Sequence, residues 1–81
     1  MNQEIIKELD KILPVVDRVH GDHHPELHKV LELYNTLKEN ASKEVFEKLR
    51  EVTTDYTIPS DACPTYEKTY RLLEALEKDS Q

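Results

Sequence analysis

A single glycine, Gly21, serves all 81 residues, and this scarcity constrains the fold more than any other feature of the chain. β-Hairpins close through turns that need positive φ, which glycine adopts at least steric cost. A chain with one glycine is poorly supplied for a β-rich fold. Its apolar residues recur at intervals of three and four, the helical period, and not at two. The Glu, Lys and Leu content favours helix as well. An all-α fold is expected.

The pattern divides into four segments. In residues 3–19 the positions Ile5, Ile6, Leu9, Ile12, Leu13 and Val16 form one stripe. Pro14 interrupts the expected hydrogen bonding, so this helix is kinked there or broken, with a second piece over 15–20. A second helix starts near His24 or Pro25, because proline suits a first turn, and fades near Asn40. Its core face is Leu27, Val30, Leu31, Tyr34 and Leu37. Ser42 caps a third, with Val45, Phe46, Leu49, Val52 and Tyr56 inward and an end near Asp55 or Tyr56. The fourth begins between Ser60 and Pro64, where Ser60 and Asp61 are capping types, and ends near Asp79, with Tyr66, Tyr70, Leu73 and Leu76 on one face. Short connections make neighbours antiparallel, which gives a small up-down four-helix bundle in a single domain, 1–81.

Composition narrows the partners. Net charge is -6, and the 11 Lys and Arg are scattered among 17 Asp and Glu. Nucleic-acid binding rests on clustered cations, so no nucleic acid is expected. No apolar run reaches the length of a membrane span, so no membrane is expected either. The opening Met1-Asn2-Gln3-Glu4 lacks the basic and apolar regions of a signal peptide. The lone cysteine, Cys63, has no internal disulfide partner, and a cytoplasmic location follows as the expectation.

Up-down connectivity places the link between the first two helices at the same end as the link between the last two. All four histidines fall at the first of these corners, between positions 20 and 28: His20, His23, His24 and His28. The second carries Tyr56, Asp61, Cys63, Tyr66 and Glu67. His24 and His28, four apart, would share a face if both were helical, which is how helices offer two imidazoles to one metal. His20 would approach from the adjoining element. Glu26 lies inside the cluster and Glu67 across from it. Imidazole with carboxylate suits iron, zinc or manganese. The plain alternative is a set of solvated polar side chains at a turn, since neither H-E-x-x-H nor paired C-x-x-C is present. Cys63 is read first as a small residue at a helix start, and second as a reactive thiol. Tyr56 and Tyr66 are read first as packing residues, with hydroxyls able to bond a ligand second.

The string Pro14-Val15-Val16-Asp17-Arg18-Val19-His20-Gly21-Asp22-His23-His24-Pro25-Glu26 resembles the opening of short bacterial proteins of the repair-of-iron-centres family. Leu49-Arg50-Glu51-Val52-Thr53-Thr54-Asp55-Tyr56, Pro59-Ser60-Asp61-Ala62-Cys63 and Tyr66-Glu67 are similar to the same group. The resemblance implies a hemerythrin-like bundle with di-iron chemistry, iron–sulfur cluster repair and a stress response. It implies His20, His24 and His28, with His23 as a further candidate, as first-half ligands. No histidine follows His28, so a mononuclear site, a site shared across a homodimer and a lost site stand beside a di-iron one. The expected role is iron delivery or redox handling, with iron–sulfur proteins as partners, and not conventional turnover. A metal-free helical interaction module is the alternative, and a nucleophilic enzyme using Cys63 with a histidine is the third.

Overall fold

The structure, a computed structural model, describes residues 2–80. It has four helices: α1 Gln3–His20, α2 Glu26–Glu39, α3 Lys43–Val52 and α4 Pro64–Asp79. No strand occurs among the described residues. None of the helices is long and apolar enough to cross a membrane. Local chemistry explains where most of them start. Asn2 Oδ1 accepts the N–H groups of Glu4 and Ile5 at 2.9 and 3.2 Å. Ser42 Oγ accepts from Val45 N–H at 3.3 Å, as its sequence position implies. Each first turn holds a carboxylate, Glu4, Glu26, Glu44 or Glu67, which the positive end of the helix dipole favours.

α1 runs through Pro14 as one helix and is not broken there. Proline removes one backbone donor, and Pro14 sits on the exposed side of the helix. The buried side carries Leu9, Leu13 and Val16 against Leu27, Val30, Leu33, Tyr34 and Leu37 of α2. Val45, Phe46 and Leu49 of α3 and Tyr66, Tyr70, Leu73 and Leu76 of α4 complete the core. Leu33 replaces the expected Leu31 among the fully buried positions of α2, while Leu31 packs partly buried at the edge.

α4 packs on α1, α1 on α2, and α2 on α3. Cross-helix contacts show the antiparallel sense. Tyr34 Oη, late on α2, donates to Asp10 Oδ1 at 2.7 Å, and Lys38 Nζ reaches the same oxygen at 2.8 Å. At the other end of the pair His28 meets Asp17. Between α1 and α4, Lys68 pairs with Glu8 at 2.9 Å, while the start of α4 meets the end of α1. Polar side chains join the remaining side, α3 to α4. Tyr56 Oη donates to Glu77 Oε1 at 3.0 Å, and Arg50 Nε lies 3.2 Å from Glu77 Oε2.

One boundary and one cap differ from the sequence expectation. α3 stops at Val52, short of Asp55 or Tyr56. Thr53 Oγ1 donates back to the Leu49 carbonyl at 2.7 Å and accepts Tyr56 N–H at 2.9 Å, offering the backbone a substitute for the next turn. Thr54, Asp55 and Tyr56 then adopt φ of 54, 59 and 60°, in the left-handed region. That region costs a non-glycine residue about 1–2 kcal/mol. Burial of the Tyr56 ring and its bond to Glu77 hold the turn in place. α4 is capped by Cys63, whose Sγ accepts Tyr66 N–H at 3.4 Å, and not by Ser60 or Asp61.

Glu77→Ala leaves the buried Tyr56 hydroxyl and Arg50 without their shared partner. We expect it to lower the unfolding free energy by about 1–3 kcal/mol, measured by urea denaturation. A change within about 0.5 kcal/mol would show that this carboxylate does not hold α3 to α4.

Candidate functional site

The corner between α1 and α2 is built around Gly21. Its φ of −59° is ordinary, so conformational freedom is not what the position requires. It requires room. A Cβ there would run into the Asp17 carbonyl oxygen and come within 2.8 Å of His28 Cε1. Gly21 N–H donates to that same Asp17 carbonyl at 2.8 Å, and His24 N–H donates to His20 O at 2.8 Å. The chain therefore turns tightly, with His20 on one arm and His24 just past the bend.

The α3–α4 link meets this corner, as the connectivity implied. His20 Nε2 lies 3.2 Å from Cys63 Sγ. Beside it, His24 Nε2 lies 3.0 Å from both Asp61 carboxylate oxygens, and His24 Nδ1 is 3.2 Å from Glu26 Oε2. Tyr66, the first buried residue of α4, stands edge-on to both rings, at centroid separations of 5.2 Å from His20 and 5.4 Å from His24. Tyr70 continues the stack 5.2 Å further in. Hydrogen bonding to Asp61 raises the His24 pKa above its ordinary value despite some desolvation, with Glu26 adding to the rise. Reciprocally, the hydrogen bond from His24 holds the Asp61 carboxyl below its usual range. Burial pushes the Tyr66 phenol up.

The remaining expected residues stand elsewhere. α2 begins at Glu26, so His24 lies in the turn before it and does not share a helical face with His28. His28 Nδ1 is 2.6 Å from Asp17 Oδ1, and the side chain is 63% exposed. His23 is exposed at the tip of the turn, and Glu67 is exposed on the first turn of α4. Tyr56 turns its hydroxyl to Glu77 and not to the histidines. Among the described residues no group of three or more His, Cys, Asp or Glu side chains converges so as to hold a metal ion. The corner instead presents separate pairs: an imidazole with a thiol, and an imidazole with carboxylates. Sequence reasoning did not single out Tyr70 as the ring behind Tyr66. The i, i+4 spacing of the two tyrosines on one helix face was its available signal.

Two clefts open on the surface. One of about 220 Å³ adjoins the corner, between Glu26, Thr53, Thr54, Thr57 and Tyr70. Another, about 770 Å³, lies at the opposite end of the bundle between Ser42, Phe46, Arg50, Glu77 and Ser80, and contains none of the histidines. The histidine, cysteine and aspartate side chains meet at the corner. No protein-family model matches the chain, and no solved structure matches it significantly.

The His24–Asp61 pair has a defined pH signature. A histidine raised in the folded state adds stability that is full below its ordinary value, 6.5, and is lost as pH rises through the raised value. Asp61, being lowered, adds stability above its ordinary value of 3.8 that is lost as pH falls. The two windows overlap in mild acid. Asp61→Asn should therefore destabilise the protein more at about pH 5.5 than at about pH 8, measured by thermal denaturation at both. An equal effect at both would mean that the charged pair contributes nothing.

Proposed function

We propose that this protein binds a transition-metal ion at the joined corners and acts in iron handling, in the manner of the repair-of-iron-centres proteins its sequence resembles. The observation that carries this reading is the meeting of His20 Nε2, at the end of α1, with Cys63 Sγ, at the start of α4, two positions far apart in sequence. Two donors bound to one tetrahedral ion, with metal–nitrogen and metal–sulfur bonds of ordinary length, stand about 3.5 Å apart. The observed 3.2 Å is close to that separation. Asp61 and Glu26 place negative charge beside the pair, and the whole chain is acidic, which raises the local concentration of cations. Imidazole with thiolate suits iron(II) and zinc; imidazole with carboxylate adds manganese.

The donors of one chain do not amount to a di-iron set. His20 faces Cys63, His24 faces Asp61 and Glu26, and His28 pairs with Asp17, and among the described residues no three donors converge on one point. No redox step follows from them. The role supported here is holding and delivering an ion, with iron–sulfur proteins as the recipients and the cytoplasm as the setting.

A second reading, a metal-free interaction module, is favoured by one observation. His20, His24 and His28 each already have a protein partner, so the corner is closed without any metal. Cobalt(II) added to anaerobic, reduced protein separates the two. The metal reading predicts saturable uptake with a thiolate-to-cobalt absorption band that Cys63→Ser removes. No uptake, with the folded protein indifferent to cobalt(II), iron(II) and zinc, would leave the interaction module standing.

A further inference from the structure

The mismatch between donor chemistry and donor number points to a second copy of this chain. We propose that His20 and Cys63 hold a tetrahedral metal ion together with the same pair from a twofold-related molecule, giving a two-histidine, two-cysteine site on the symmetry axis. This rests on the metal reading above and extends it by naming the partner and the donor set.

Three observations carry it. The first is the half-site. His20 and Cys63 are each partly exposed at one end of the bundle, and their donor atoms are spaced to share an ion. Within the described residues no third donor joins them. A closed structural site needs four, and two thiolates with two imidazoles is one of its standard sets. A twofold axis supplies the missing two without any new sequence, because an isologous contact presents the same patch twice.

The second is the surface next to the half-site. Val15 and Val19, one turn apart on α1, are the exposed large apolar side chains among the described residues, at 40% and 62%. They lie on one face of the helix that ends in His20 itself. Exposed aliphatic side chains on the helix that carries His20 are what a second molecule would cover first.

The third is charge. Two acidic chains repel at long range, and Asp22 and Asp61 add negative charge at the exposed end of each bundle. A divalent cation on the axis offsets that repulsion where it is strongest, so association should require the metal. The size of the domain agrees. A core of this extent is small, and a shared metal is one of the recognised ways such chains gain stability.

The test is a titration of reduced wild-type protein with cobalt(II), following the thiolate charge-transfer band and the molar mass by light scattering. The proposal predicts saturation at one metal per two chains, with the mass doubling over the same range. Val19→Asp removes no donor but should weaken uptake at least about tenfold and suppress the doubling, since about 1.4 kcal/mol of lost contact is enough. Uptake of one metal per chain by a protein that stays monomeric would overturn the shared site and leave metal binding intact. Failure to bind cobalt(II) at all would overturn both. Doubling of mass without metal, unaffected by Cys63→Ser, would show an ordinary apolar dimer and overturn the shared site as well.

Discussion

Everything distinctive in this molecule depends on the close approach of α1 to its own turn at Gly21. The Asp17 carbonyl occupies the space where a side chain would begin, so only glycine lets the backbone fold back there. That tight reversal sets both His20 and His24 against Tyr66 and brings both within reach of the α3–α4 link. The link answers with a thiol for one ring and a carboxylate for the other. The chain's one glycine and one cysteine thus serve the same corner.

The histidine corner and the α3–α4 seam are held by different physics. At the histidine end, polar contacts join the corners, and their strength varies with pH through His24 and Asp61. At the seam, Tyr56 of the link, Arg50 of α3 and Glu77 of α4 meet through a largely buried carboxylate. The left-handed turn over Thr54–Tyr56 is part of that arrangement, because it aims the Tyr56 ring inward. A strained turn persists only when its surroundings over-determine it. Here a buried phenol and a threonine cap do so.

Much of this was legible in the sequence. The helical period of Leu9, Leu13, Val16, Val30, Leu37, Leu49 and Leu73 is enough to give four helices, and short links are enough to give antiparallel neighbours. From these alone the meeting of the His20–His28 segment with the Asp61–Cys63 segment could be anticipated. Details of the site were harder. Pairing His24 with His28 by their spacing assumed that both were helical, but Pro25 opens the helix and leaves His24 outside it. The end of α3 was misjudged because Thr53 caps through its side chain, a tertiary choice that periodicity cannot register. Cys63 took the capping role expected of Ser60 or Asp61, as its Sγ is what reaches Tyr66 N–H. Pro14 looked disruptive in one dimension and is absorbed on the exposed face of a continuous helix.

Facing rings at the joined corners are what both the metal reading and the shared site require, and proton NMR sees them directly. Nuclear Overhauser contacts should connect the Tyr66 ring protons to carbon-bound ring protons of both His20 and His24, and Tyr66 to Tyr70. Contacts to both imidazoles in the metal-free protein are the expected result. A Tyr66 ring that touches neither, with His20 and His24 showing the shifts of free histidine, would contradict the account at its root.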